Sequence, residues 1–221
     1  MLQPHWETLN PGTRDAFRLI SGIEFISQYY LAGGTGLALH LGHRISVDLD
    51  LFSNNQEAVN LLQRSVMRTM FEYPSLSITY DMDTTFVCTW HGVDIGFFRL
   101  NSYPLVTPVT LLDGVPIASI EEIGAMKLAA IIGRGTRKDL VDLYYILQIV
   151  PLEQIFEVAN VKYAKVNTFP VTAARALSYF DDAEMLPMPN MLEKTSWNKM
   201  KKFLNAKSIE AGRKHLDIPW G

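Results

Sequence analysis

The sequence predicts an α+β fold, with a mixed β-sheet and flanking helices followed by a helical C-terminal part. Two observations lead to this prediction. Between residues 25 and 99, short runs of β-branched and aromatic residues alternate with turns and helical stretches, as is typical of a mixed sheet. From Ser119 onward apolar residues recur at helical spacing, and no further strand is expected. The chain is therefore divided into a core region, 1–118, and a helical region, 119–221.

Each element follows from its local pattern. In the core region, helices are predicted where apolar residues repeat every three or four positions, and strands where they alternate or form short runs. The predicted core helices are 13–22, 35–41 and 56–72, and the predicted strands are 25–32, 47–52, 76–80, 85–90, 93–99 and 115–118. In the helical region, the predicted helices are 119–133, 137–148, 152–160, 170–178 and 196–205.

Composition narrows the class of protein without naming a function. The chain has 221 residues, is 48% hydrophobic and carries a formal charge of −3, so it can bury a full core. A single cysteine, Cys88, excludes an internal disulfide, and no apolar run approaches the ~20 residues of a membrane span. The five histidines show no zinc-binding spacing. We therefore expect a soluble, cytoplasmic protein that does not bind membranes.

Two carboxylates are the first candidate site residues. Asp48 and Asp50 alternate with Val47, Leu49 and Leu51, so on a strand both carboxylates leave one face and the apolar side chains leave the other. Their Cα atoms would lie roughly 6.6 Å apart. Such a pair suits Mg²⁺, which binds one or two protein carboxylates and fills its other positions with water and phosphate.

A glycine turn precedes these acids. Gly33 and Gly34 follow an apolar run and precede a short predicted helix that begins near Thr35. The first backbone N–H groups of a helix accept a phosphate, and the Thr35 hydroxyl could cap the helix or contact the anion. Glycine allows close approach of backbone to phosphate, although a glycine turn alone is often only structural.

Together these segments resemble a known motif. The pair Gly33-Gly34, thirteen further residues and then Asp48-Leu49-Asp50 is similar to the first motif of the nucleotidyltransferase superfamily, whose fold is named for DNA polymerase beta. The resemblance implies that fold, an NTP substrate, and Mg²⁺ or Mn²⁺ as cofactor.

A longer string refines the resemblance. Residues His43, Arg44 and Ser46, followed by the two aspartates, resemble the AbiEii/AbiGii branch, the nucleotidyltransferase half of abortive-infection toxin–antitoxin pairs. This resemblance adds Arg44 and Ser46 to the expected nucleotide-binding residues.

A second block lies in the helical region. Lys127 and Arg134 are seven residues apart on a half-apolar helix face, which indicates a buried anion. The resemblance implies that Lys127, Asp139 and Asp142 line the nucleotide cleft, with Lys127, Arg134 and Lys138 as nucleotide contacts, so that the helical region completes the cleft. For Lys138, an ordinary surface salt bridge is an equal alternative, and the helix dipole alone would favour an acid at Asp139.

The superfamily's third acid is expected on a neighbouring strand. Asp94, Gly96 and Phe98 share one face of the predicted strand 93–99. By resemblance the usual acid position is Gly96, and a lysine usually occupies the position of Asp94. Either Asp94 supplies the third metal-binding carboxylate, or the chain lacks the base that activates an attacking hydroxyl.

The C-terminal region is rich in lysine. Such a basic tail could hold an RNA acceptor through its phosphates, with Trp197 or Trp220 stacking on a base, although a solvated helix face is an equal alternative. The acids Asp181, Asp182 and Glu184 are more typical of a solvated loop than of a metal site.

These observations predict an Mg²⁺-dependent nucleotidyltransferase, the toxin of a type IV pair, which transfers NMP from NTP to an acceptor such as tRNA. The expected partner is a winged-helix antitoxin encoded nearby. Two alternatives stay open: an NTP-binding module without transfer activity, and a nucleotidyltransferase acting on a small molecule.

Overall fold

A computed structural model describes residues 3–70 and 76–215 of the chain. The chain divides into two compact units, Met1–Ser119 and Ile120–Gly221. The first unit contains the strands and the second consists of helices, whereas the sequence placed the boundary near residue 118. Each unit is described by itself below.

The first unit is built on a mixed sheet with flanking helices. Among the residues described, the sheet has seven strands in the order β3-β4-β5-β2-β1-β7-β6. The strands are β1 (Tyr30–Leu31), β2 (Leu49–Ser53), β3 (Leu76–Met82), β4 (Thr85–Trp90), β5 (Val93–Arg99), β6 (Thr110–Leu112) and β7 (Val115–Ile117). The helices of this unit are α1 (Pro11–Ser21), α2 (Gly33–Leu41) and α3 (Leu61–Met70).

The central strand β2 pairs in parallel with β5 and antiparallel with β1. In the register with β5, Asp50 lies opposite Gly96. Leu49 and Leu51 are buried while Asp50 and Phe52 are partly exposed, which is the alternation that the sequence predicted for this strand. The mixed sheet and the helices that follow it confirm the predicted α+β class.

Several boundaries differ from the predictions. The predicted strand 25–32 contains a 3₁₀ turn, Ile26–Gln28, and only two residues pair as β1. Val59 has a positive φ of 59°, which a helix does not allow, so α3 begins at Leu61 rather than at residue 56. The last two residues of that predicted helix, 71 and 72, lie outside the described residues.

One further prediction about this unit was wrong, and one strand was missed. Val47 is 47% exposed and lies before β2, so it does not join Leu49 and Leu51 in the core. Strand β6 was not predicted, because a pairing partner rather than a long apolar run defines so short an element.

The second unit is helical in the residues that the structure describes. Its helices are α4 (Ile120–Gly133), α5 (Arg137–Ile146), α6 (Leu152–Lys162), α7 (Phe169–Ala176), α8 (Asp181–Glu184) and α9 (Trp197–His215). A fully buried ion pair joins α6 to α4, with Lys162 Nζ 2.6 Å from Glu122 Oε1. No helix in the described part of the chain is both long and apolar enough to cross a membrane.

Candidate functional site

The first candidate site surrounds the start of α2. Gly33 begins this helix with a φ of +61°, a backbone conformation that glycine adopts without strain. A Cβ atom at this position would lie 2.5 Å from Asp50 Oδ2. The carboxylate of Asp50 is therefore packed directly against the backbone of Gly33, which explains why the sequence has glycine here.

Gly34 accommodates a second charged group. A side chain here would overlap the guanidinium of Arg44 and would come within 3.2 Å of Ser46 Oγ. Arg44 is only 5% exposed, and its Nη1 donates to the carbonyl of Ile45 at 3.0 Å. The two glycines thus lie against an anion and a cation respectively, both held at the beginning of one helix.

Thr35 has a structural contact within this motif. Its hydroxyl hydrogen bonds with Ser46 Oγ at 2.8 Å and contacts the backbone carbonyl of Asp48. The residue that caps α2 is Ala32, which has no side chain for capping, and Thr35 is 2% exposed. Thr35 and Ser46 therefore tie the start of α2 to the chain that leads into β2. Of the two roles expected for the Thr35 hydroxyl, it does not cap the helix, and its contact with a bound phosphate stays a prediction.

Asp48 and Asp50 are two acids that lie close to the start of α2. Asp48 immediately precedes β2 and Asp50 is its second residue, and both are partly exposed. Two carboxylates beside an open helix N-terminus are a donor set that fits Mg²⁺. Among the described residues, no group of three or more His, Cys, Asp or Glu side chains could hold a metal ion.

The neighbouring strand shows how the third-acid position is filled. A Cβ atom at Gly96 would overlap the ring of Phe98, so this ring lies over Gly96, opposite Asp50. Phe98 also stacks on Phe52, with ring centroids 5.2 Å apart. Asp94 is exposed and accepts a hydrogen bond from Thr89 Oγ1 at 2.5 Å. The metal-binding role predicted for Asp94 stays a prediction.

Sequence reasoning missed the position of Phe98. The only signal was a glycine within a strand next to two phenylalanines, because a glycine in a strand often marks a close approach of other atoms. Which atoms fill that space depends on the rotamer of Phe98, and the sequence does not determine that rotamer.

In the second unit, Lys127 lies in a buried ion-pair cluster. Its Nζ is 3.0 Å from Asp139 Oδ1 and 2.6 Å from Asp142 Oδ2. Lys127 is 4% exposed and both acids are 0% exposed. Two buried carboxylates therefore compensate its charge within this unit. The predicted role of Lys127 in triphosphate binding stays a prediction.

Asp139 is the centre of this cluster. It accepts hydrogen bonds from Arg134 Nε at 2.9 Å, Arg134 Nη2 at 3.1 Å and Thr136 Oγ1 at 2.5 Å. Burial by itself raises the pKa of the Asp139 carboxyl, but the Lys127 ammonium and the bonds from Arg134 and Thr136 outweigh it and lower the pKa to about 2. Asp139 is therefore ionised at any physiological pH. Arg134 keeps its side chain 58% exposed.

The remaining residues predicted in this unit are Lys138, Trp197 and Trp220. Lys138 is exposed. Trp197 interacts with other side chains, because Arg137 Cζ lies 5.0 Å from its ring centroid and Phe180 packs edge-on at 5.9 Å. Trp197 Nε1 also donates to Glu184 Oε1 at 3.0 Å. Trp220 lies outside the described residues.

The sequence matches the family of nucleotidyl transferase AbiEii toxins of type IV toxin–antitoxin systems over residues 17–211. The chain belongs to this family. It is therefore a nucleotidyltransferase, as the motif resemblance predicted. The uncharacterized protein aq_aa25 of Aquifex aeolicus is 29% identical to this AbiEii chain over 174 residues, which cover 77% of the chain and 82% of that protein.

Solved structures share the fold of this AbiEii chain. The nucleotidyltransferase toxin MenT4 of Mycobacterium tuberculosis has a TM-score of 0.59 at 16% identity, covering 91% of this chain and 85% of MenT4. The protein JHP933 of Helicobacter pylori has a TM-score of 0.56 at 16% identity, covering 93% of each chain. These likenesses confirm the nucleotidyltransferase fold.

Proposed function

We propose that this AbiEii protein is an Mg²⁺-dependent toxin that transfers NMP from an NTP to the hydroxyl of an RNA acceptor such as tRNA. The observation that carries the proposal is the packing of Asp50 against Gly33 at the start of α2. Asp48 and Asp50 thus lie beside backbone N–H groups that can bind phosphate.

The site residues at the start of α2 divide into three proposed tasks. Asp48 and Asp50 would hold the metal ion, which supplies charge neutralisation at the phosphates and polarises the bond that breaks. Gly33 and Gly34 let the triphosphate approach the backbone of α2. Arg44 is held at Gly34 and places a fixed positive charge there.

The reaction is a displacement at the α-phosphorus. A hydroxyl oxygen of the acceptor forms a bond to this phosphorus, the bond to the bridging oxygen breaks, and pyrophosphate leaves with that electron pair. The chain contributes mainly by positioning and by charge stabilisation. Gly96 occupies the position at which the family usually has the acid that accepts the hydroxyl proton, and the ring of Phe98 fills the space over it. In this proposal the proton therefore passes to solvent or to another carboxylate.

NTP binding without transfer is the second candidate. It is favoured by the position opposite Asp50, where Gly96 stands in place of the usual carboxylate. Asp94, the alternative third acid, accepts a hydrogen bond from Thr89. This candidate predicts saturable NTP binding without turnover.

One experiment separates the candidates. Purified protein is incubated with Mg²⁺, total RNA and each α-labelled NTP in turn, and label in RNA, protein and small molecules is measured. We expect label in RNA with one or two NTPs, and none from D48A or when EDTA is present. Label only in a small molecule would contradict the RNA acceptor, and NTP binding with no labelled product would favour the second candidate.

We further propose that a cognate antitoxin, expected to be a winged-helix protein encoded nearby, restrains this activity. The family name supports a paired antitoxin because it specifies a type IV toxin–antitoxin system. Growth arrest on expression of the wild type, but not of D48A, with rescue by the neighbouring gene would support the pairing. Arrest without rescue would contradict it.

A further inference from the structure

The helical unit contains a groove that has no role in the function proposed above. It lies between the end of α4 and the residues of α7 and α8, and its volume is about 430 Å³. This volume lies within the range of roughly 300 to 1,000 Å³ that is typical of small-ligand sites. Its floor is partly apolar, and its polar lining includes Arg134, Thr172, Arg175, Ser178, Tyr179 and Asp182.

Two guanidinium groups line this groove. Arg134 donates through Nε and Nη2 to the buried carboxylate of Asp139, so its orientation is fixed although the side chain is 58% exposed. Arg175 is exposed, and within residues 3–70 and 76–215 its guanidinium makes no hydrogen bond or ion pair. A pre-oriented and an available guanidinium together suit a phosphate, which accepts paired N–H bonds.

The groove also has an open aromatic side chain. Tyr179 is 51% exposed, whereas the ring of Trp197 is covered by Arg137 and Phe180. Trp197, one of the two tryptophans predicted from sequence to stack on a base, thus already interacts with side chains of its own unit. Tyr179 was not predicted, because its exposure depends on the turn between α7 and α8.

The other polar groups limit what the groove can bind. The hydroxyls of Thr172 and Ser178 already donate to backbone carbonyls, at 2.8 and 3.0 Å. Asp182 places one exposed carboxylate at the rim, which would repel a second phosphate but can accept N–H groups of a base. The groove therefore favours one phosphate and one ring over a polyanionic ligand.

We propose that this groove binds one nucleotide of a single-stranded RNA, with its phosphate against Arg134 and Arg175 and its base on Tyr179. An unpaired base offers the flat apolar face that a duplex hides. The inference rests on the proposed function only in taking this strand to be the acceptor. The groove is then an RNA-positioning site, separate in its residues from the carboxylates Asp48 and Asp50.

The test measures RNA binding directly. A fluorescein-labelled single-stranded RNA of about 12 nucleotides is titrated with wild type, R175A, Y179A and the control R18A, and fluorescence anisotropy is followed at several salt concentrations. Arg18 is an exposed arginine of α1 that lies outside the basic C-terminal tail and does not line the groove. We expect R175A and Y179A to weaken binding about tenfold, and only R175A to reduce the salt slope by about 1.

Thermal melting of each variant checks that it is folded. The inference is overturned if R175A and Y179A bind RNA like the wild type, if R18A weakens binding as much as R175A, or if only free NTP binding changes. Its failure is distinguishable from that of the proposed function. Transfer that R175A and Y179A leave intact would overturn only the groove, while groove-dependent RNA binding without any transfer would overturn only the activity.

Discussion

The two units treat their charged residues in opposite ways. In the first unit, Asp48 and Asp50 are partly exposed, and glycine backbone is packed against Asp50 and Arg44. In the second unit, Lys127 is buried between Asp139 and Asp142, and these opposite charges compensate one another. The first arrangement leaves two carboxylates accessible to a metal ion. In the second arrangement, the charges of the lysine and the acids neutralise one another within the unit.

This difference shows that similar motif residues can have different physical roles. A buried ion pair contributes little net stability, because desolvation offsets the attraction, yet removing one partner is costly. An exposed carboxylate pair repels itself and is useful mainly when a cation binds. Substitutions in the second unit should therefore affect folding first, and substitutions in the first unit should affect chemistry first.

The largest expected effect on stability is at Lys127. The variant K127M should lose roughly 3 to 5 kcal/mol of unfolding free energy, because Asp139 and Asp142 both lose the buried Lys127 ammonium and Asp139 keeps only Arg134 as a cationic partner. Urea denaturation measures this, with K199M on the exposed face of α9 as the control. K127M/D142N should recover part of the loss, because the amide that replaces the Asp142 carboxylate carries no charge. If K127M were as stable as the wild type, the contrast between the two units would fail, and Lys127 would more plainly serve to bind the nucleotide.

The largest expected effect on chemistry is at Asp50. The variant D50N should reduce NMP transfer at least about a hundredfold, because the metal loses a charged ligand, while stability changes little. The control is D83N, which makes the same change at an exposed turn between β3 and β4. Equal transfer by D50N and wild type, in an assay with α-labelled NTP, would remove Asp50 from the proposed site.

A smaller effect is expected when the pH is lowered. Asp139 has a folded-state pKa of about 2, below its ordinary value of 3.8, so its contribution is fully present above that ordinary value. About 2 kcal/mol should be lost progressively as the pH falls from roughly 5 towards 2. Unfolding free energies across this interval should fall less steeply in D139N than in wild type. Parallel pH profiles would contradict the assignment.

The smallest expected effect is at the glycine turn. The variant G34A should lose about 1 kcal/mol of stability, at the low end for overpacking, because the end of the Arg44 side chain can move away. Transfer should also fall, since Arg44 is displaced. G133A is the matched control, because nothing lies within 4 Å of the added carbon at the end of α4. G133A should be neutral or stabilising by up to about 1 kcal/mol. Similar losses of stability in G34A and G133A would contradict the close packing of Arg44 against Gly34.

Much of the fold could be predicted because it follows from local periodicity. The strand with Asp50 and the helices α4 to α7 have patterns in which apolar side chains must share one face, whereas α8 was expected to be a loop and α9 extends ten residues beyond its predicted end at 205. The predictions that were wrong lie where non-local geometry overrides the pattern. Val59 takes a positive φ, and β6 exists only because β7 pairs with it.

The sequence by itself determined the family, the glycine turn and the two carboxylates, because short spacings along the chain specify them. Only the tertiary structure decided what surrounds them. It placed Phe98 over Gly96, compensated Lys127 with two buried acids, and left Arg175 and Tyr179 open in a groove. The physical reason is that burial and ion pairing depend on packing between distant segments, which a motif does not encode.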